Sequence, residues 1–247
     1  GGPHGPWFWD PTTQGGGVCC DMGCHSIACG MYMVTPAGKP LTYLRPLRVN
    51  ATMALLKWGK EPWRSQLQQR GVDYSKTPAE DYSSVSIEFE DPETKHRSIV
   101  QATNSWMYDA PGLRLLMETF GPGYSYTVNS LQSPTGLFIS DAAAAAVSDS
   151  ELALEKSQAS RGSLILQPDE AGLYGYVAEW IDALNAFEQG RDALLNLAYG
   201  KQITLLIMAA YLSHEKRRVV DLTDPATLNE IEHYIPLIQQ GKGGQVL

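Results

Sequence analysis

An aspartate and a histidine four residues apart, Asp21 and His25, follow the glycine run Gly15-Gly16-Gly17 in this chain. On a helix that spacing sets both side chains on one face, one turn apart. A carboxylate beside an imidazole fixes its tautomer and raises its basicity, as general acid/base work requires. The same stretch holds all four cysteines, Cys19, Cys20, Cys24 and Cys29. Their spacing matches no zinc or ferredoxin pattern, and free cysteine is a common small core residue. Packing within a helix is the expectation, and a Cys/His metal-binding protein using Asp21 and His25 is the alternative. A disulfide framework would spread the cysteines along the chain, so this cluster points to reduced thiols and a cytoplasmic protein.

The glycines allow close backbone approach, but they form no phosphate loop. The run lacks Gly-x-x-x-x-Gly-Lys-Ser/Thr, and Gly15-x-Gly17-x-x-Cys20 fails the dinucleotide fingerprint at its last position, with no strand ahead of it. Trp7, Phe8 and Trp9 stand in a row before them. Such rings either pack on the domain or line the apolar face of a sugar. Tyr108 and Asp109 sit in a turn between two predicted strands, within reach of a substrate. His96, His214 and His233 read as surface or loop residues without a role.

The elements that must position these residues are legible from periodicity. Residues 1–14 read as a loop with a turn at Asp10-Pro11-Thr12-Thr13, and a helix is expected from Val18 to Val34, ended by Thr35-Pro36. Alternation then predicts strands over Tyr43–Lys57, Asp81–Glu90, Arg97–Trp106, Arg114–Phe120, Tyr124–Val128 and Gly136–Ile139. Trp58–Ala79 is an insertion without a clear pattern. The alanine run within Asp141–Val147 favours a short helix, and Leu164-Ile165-Leu166 a strand edge. Helical spacing returns over Ala171–Glu188, with Tyr174, Val177, Ile181, Leu184 and Phe187 on one face. A second helix runs from Asn196 to His214, a short strand covers Val219–Leu222, and a last helix starts at Asp224-Pro225 and ends near Gln240. This is an α+β chain: a large open, mainly antiparallel sheet with helices packed on one face.

Length and charge bound the rest. The chain has 247 residues, 43% of them hydrophobic and 19% charged, with a net charge of -8. That balance argues against a nucleic-acid partner. The most apolar run, Ile203–Leu212, is half of what a membrane span needs. The N-terminal residues carry no signal-peptide pattern.

The segments Gly5-Pro6-Trp7-Phe8-Trp9-Asp10-Pro11, Gly15-Gly16-Gly17 and Asp21-Met22-Gly23-Cys24-His25-Ser26-Ile27 together resemble the start of the substrate domain of the Gfo/Idh/MocA oxidoreductases, the family of glucose–fructose oxidoreductase and inositol dehydrogenase. Glu179-Trp180-Ile181-Asp182-Ala183, Ala209-Ala210-Tyr211-Leu212-Ser213 and Arg218-Val219-Val220 resemble its closing helices and strand. The resemblance implies His25 as acid/base for a sugar or polyol hydroxyl and Asp21 as its orienting carboxylate. It implies Trp7, Trp9 and His4 at the substrate, which Tyr108 would join from its loop, and Gly16 and Gly17 facing a cofactor held by another domain. The family's E-K-P lysine and its Rossmann domain have no counterpart here, since Lys60-Glu61-Pro62 has the wrong order and place. The expectation is a single domain over 1–247, the C-terminal substrate domain alone. NAD or NADP would serve the intact enzyme and not bind this chain by itself, and a homo-oligomer would form through the sheet face. A non-catalytic partner or assembly subunit that complements a separate Rossmann chain is the alternative.

Overall fold

Strict alternation of apolar and polar residues from position 45 onward builds the first sheet. In the computed structural model, which describes residues 2–3, 5–109, 115–129, 135–140, 162–166 and 175–247, strands β1 (Arg45–Ala54), β2 (Tyr82–Glu90) and β3 (Arg97–Ser105) pair antiparallel. The short β8 (Val220–Asp221) adds to β1, giving the order β3-β2-β1-β8. Register sets Val49 opposite Ile87 and Ile87 opposite Val100, with Ala51, Val85 and Ala102 in the next row of the same face. All six are buried. The intervening rows, Asn50-Ser86-Gln101 and Thr52-Ser84-Thr103, point to the other face. Side chains on a strand alternate sides, so one face is apolar and covered and the other is polar. On that polar face Glu88 pairs with both Arg48 and Arg97.

The chain divides into two compact units, residues 1–109 with 185–247, and residues 110–184. In the first unit, helix α3 (Gly23–Val34) packs on β3, and α6 (Leu197–Lys216) packs on β1. Gly30 lets α3 come close to the sheet, because a Cβ there would collide with Val100. Leu206, Ala209, Ala210, Tyr211 and Leu212 form the inward stripe of α6. The second unit carries β4 (Leu116–Gly121), β5 (Tyr124–Asn129), β6 (Thr135–Ile139) and β7 (Gly162–Leu166), an antiparallel meander in sequence order. The α+β class with antiparallel sheets is therefore what the molecule has, with two four-stranded sheets among the described residues.

Several elements depart from the sequence expectation. The N-terminal segment is not all loop: a 3-10 turn covers Pro6–Trp9, and α1 (Pro11–Gln14) follows with Asp10 as its N-cap. The expected helix from Val18 to Val34 breaks at Met22 into α2 (Val18–Asp21) and α3. The patternless insertion contains α4 (Trp63–Gln69). Helix α5 (Tyr176–Gln189) forms as expected, but Val177, Ile181, Leu184 and Phe187 on its periodic face are exposed. The last helix, α7 (Pro225–His233), starts on Asp224 but stops short of Gln240, with Tyr234 extended. Pro236 disfavours helical backbone just ahead of it, and Glu215 captures the amides of Leu237 and Ile238 instead. Tyr174 and the stretch 141–161, with its alanine run, lie outside the described residues.

His214 is a structural residue rather than a surface one. Its Nδ1 accepts from the Met53 amide at 3.2 Å, and its Nε2 contacts the Val246 carbonyl at 3.1 Å. Those two contacts require the neutral ring with its proton on Nε2. The neighbouring Ser213 hydroxyl accepts from the Ala51 amide at 3.0 Å and donates to the Arg218 carbonyl at 2.7 Å. Consecutive residues of α6 thus take alternate amides of β1.

Candidate active site

The segment bearing Asp21 and His25 is fixed from below by a buried carboxylate. Gly17 ends the glycine run, and its amide donates to Glu80 Oε1 at 3.0 Å. The Cys19 amide donates to the same oxygen at 3.0 Å, and the Tyr211 hydroxyl does so at 2.7 Å. The Val18 amide donates to the Glu80 carbonyl at 3.0 Å. These amides open α2, where a helix leaves its first N–H groups without internal partners. Glu80 is fully buried, and burial pushes its pKa up to about 7. Its Oε2 has no partner among the described residues.

This contact explains the glycines. A Cβ at Gly17 would strike the Glu80 carbonyl oxygen, and one at Gly16 would strike the Tyr211 hydroxyl. Both glycines are buried. The close approach that the run permits is made to Glu80 and Tyr211 within this unit. A pyrophosphate needs free amides at a helix N-terminus, and here the Gly17 and Cys19 amides are already taken. The Gly17 and Cys19 amides are thus closed to a phosphate, and Gly16 and Gly17 are seated on Tyr211 and Glu80.

Asp21 ends α2 and is half-buried. Its Oδ2 accepts from the Trp106 indole Nε1 at 3.1 Å. Trp106 is itself anchored, its amide donating to the Asp81 carbonyl at 2.9 Å and its carbonyl accepting from Trp58 Nε1 at 3.1 Å. The fully buried Asp81 carboxylate accepts from the amides of Leu56, Lys57 and Trp58 at 2.7 to 2.8 Å, fixing the turn that carries Trp58. Glu80 and Asp81, adjacent in sequence, thus hold the two segments that meet at Asp21.

His25 lies beyond the Met22 break, on the first turn of α3, and is exposed. No hydrogen bond joins it to Asp21. A carboxylate held by Trp106 and an open imidazole one turn onward leave the ring free to meet a ligand from solvent.

The remaining expected residues separate. Trp9 is 1% exposed and belongs to the core, with its ring 4.8 Å from Trp106 and 5.0 Å from Trp58 and its indole donating to the Pro3 carbonyl. It does not line an open surface, and this corrects its assignment to the substrate. Trp7 is exposed and stacks on Phe8 with centroids 3.8 Å apart, so its outer face is available. Tyr108 is half-buried. Neither Trp7 nor Tyr108 bonds Asp21 or His25. His4 lies outside the described residues.

Sequence reasoning missed Glu80, Asp81, Trp106 and Lys57. The Lys57 ammonium is almost buried, bonds Asp109 at 2.7 and 2.8 Å, and lies 5.0 Å from the Trp58 ring and 5.4 Å from that of Trp63. The Lys57 hydrogen bond holds the Asp109 carboxyl below the usual range. Among the described residues, no group of three or more His, Cys, Asp or Glu could hold a metal ion. Burial pushes the Cys19 thiol well up, and that of Cys20 up to about 11. None of the four cysteines is in a disulfide. No helix among the described residues is long and apolar enough to cross a membrane.

No protein-family model and no curated protein matches the sequence. Solved structures do. An aldose–aldose oxidoreductase from Caulobacter crescentus, determined with glycerol, aligns with a TM-score of 0.59 at 16% identity, over 90% of this chain and 52% of that one. A UDP-N-acetylglucosamine 3-dehydrogenase from Acidithiobacillus ferrooxidans aligns with a TM-score of 0.42 at 12% identity, over 69% of this chain and 40% of that one. The chain spans about half the length of the first enzyme. The likeness is one of fold: the α+β arrangement resembles the C-terminal domain of Gfo/Idh/MocA-type oxidoreductases.

Proposed function

We propose that this chain is the substrate domain of an NAD(P)-dependent oxidoreductase acting on a sugar or polyol hydroxyl, with the nicotinamide held by a dinucleotide-binding domain outside it. The observation that supports this reading is the Asp21 carboxylate, held by the Trp106 indole one turn ahead of the exposed His25. His25 takes or returns the hydroxyl proton, and Asp21, one turn ahead of it, is its orienting carboxylate. Trp7 offers an apolar face to the sugar ring, and Tyr108 a hydroxyl. The reduced thiols suit a cytoplasmic protein.

Saturation-transfer NMR on the chain with a panel of aldoses and polyols tests the reading. Binding that weakens in His25→Ala is expected, and no binding by any member of the panel overturns it. Robust NAD(P)-linked turnover by the chain alone would overturn the division of labour between two domains. The polar outer face of the first sheet, with Arg48, Glu88 and Arg97, is the proposed contact in a homo-oligomer. Sedimentation of the chain as a monomer would exclude that.

A further inference from the structure

Three donors converge on one oxygen of a fully buried carboxylate, and the other oxygen has none. Glu80 Oε1 accepts from Gly17 N, Cys19 N and the Tyr211 hydroxyl, while Oε2 has no partner among the described residues. An unpaired, desolvated carboxylate oxygen is costly, so this group would not persist in a core for packing alone. Two of its three bonds lead to the element that ends in Asp21, and the third to Tyr211 on α6.

We infer that Glu80 is a positioning residue for Asp21 and His25: its Oε1 holds the opening amides of α2, and through them sets where the Asp21 carboxylate meets Trp106. The inference rests on the reading of Asp21 and His25 as the acid/base pair. Glu80 touches neither substrate nor the reacting atoms. It acts by fixing Gly17 and Cys19, which stand four and two residues ahead of Asp21. The one-sided bonding also fits both protonation states. A proton on Oε2 leaves Oε1 as a carbonyl that still accepts from all three donors.

The groups facing Glu80 are all acids. They are Tyr211 from α6, Cys19 and Cys20 from α2, and Tyr74 from the segment between α4 and β2. Asp81, next in the chain, turns its carboxylate to the turn at 56–58. Among the described residues no basic side chain bonds Glu80, so only its three hydrogen-bond donors offset its charge once it ionises. The burial that pushes it up to about 7 sets that ionisation near neutrality. Ionisation spreads charge onto Oε1 and makes it a stronger acceptor for the same amides that hold α2.

The test is the indole N–H resonance of Trp106 in the 15N-labelled chain, assigned with Trp106→Phe. In the wild type it is expected to shift between about pH 5.5 and 8.5, with the midpoint of Glu80. Glu80→Gln keeps an oxygen for the three donors, so it should leave the resonance in place and abolish that midpoint. Glu80→Ala should move the resonance toward that of a free indole and speed exchange of the Cys19 amide at least about tenfold. A midpoint that survives Glu80→Gln belongs to another group and overturns the inference. So does a folded Glu80→Ala with resonance and exchange unchanged. If Glu80→Ala does not fold, the wild-type titration decides, and a flat resonance overturns it. None of these readouts involves turnover or sugar binding, so this inference and the oxidoreductase reading fail separately.

Discussion

The Trp106 indole nitrogen lies 3.1 Å from Asp21 Oδ2, across 85 residues of sequence. That bond ties the end of β3 to the end of α2 and gives the Asp21 carboxylate a defined direction. A charge-assisted bond of this kind is stronger than a neutral one.

Removing the donor should cost both stability and function. Trp106→Phe leaves a half-buried carboxylate oxygen unpaired and thins an aromatic cluster. It should destabilise the chain by roughly 1–3 kcal/mol in urea unfolding. His25→Ala touches an exposed side chain and should stay within about 0.5 kcal/mol of wild type. If the proposed function holds, it should nevertheless abolish turnover once the dinucleotide-binding domain is supplied. Loss of folding in His25→Ala would instead mark that histidine as structural.

Two groups shifted by burial, one buried and one half-buried, make stability depend on pH in opposite senses. Glu80 is raised from 4.5 to about 7 by burial. Its contribution is therefore complete below about pH 4.5 and is lost as pH rises through 7, a change of about 3 kcal/mol. His214 is lowered from 6.5, chiefly by burial. Its contribution is complete above 6.5 and is lost as pH falls through its lower folded value. The wild-type profile should be flattened where the two overlap. Urea midpoints measured across pH should fall on acidification in Glu80→Gln and on alkalinisation in His214→Gln. Parallel profiles for the two variants would contradict the assignment.

Close backbone approach is the reason for two of the glycines. Gly30→Ala forces a methyl into Val100 and should cost roughly 1–3 kcal/mol in thermal or urea unfolding. Gly17→Ala meets the Glu80 backbone, which cannot swing away as a side chain can, and should cost more. A Gly17→Ala variant as stable as the wild type would mean that α2 is not seated on Glu80.

Thiol labelling should follow access. Cys29 is exposed and Cys19 is fully buried, and both thiols are raised by burial. At neutral pH a maleimide should modify Cys29 first and slowly, and Cys19 only on unfolding. Mass spectrometry of partly labelled protein reads the order directly.

Strands were the most legible part of the chain, because one covered face writes period-two alternation into β1, β2 and β3. The cap of the last helix was legible too, with Asp224 accepting from Ala226 and Thr227. The α2–α3 break was not, since Met22 and Gly23 interrupt a run whose hydrophobic spacing continues on both sides. Asp21 and His25 were visible by type and spacing. Their supports were not. Glu80 and Asp81 stand together at the start of a strand, where two carboxylates read as a solvated turn, and only the folded chain reveals that both are dry. Trp9 illustrates the converse: an aromatic in a row of three gives no sign of which ring turns inward.

The caps that α6 places on β1 have a consequence for how this sheet meets other chains. A strand joins a sheet by finding a line of unused amides and carbonyls along its edge. β8 pairs with β1 only at Arg48 and Val49, and beyond them Ser213 and His214 have already accepted the Ala51 and Met53 amides. An incoming strand would find those donors spent, so this border of the sheet is sealed against extension by two side chains rather than by a longer strand.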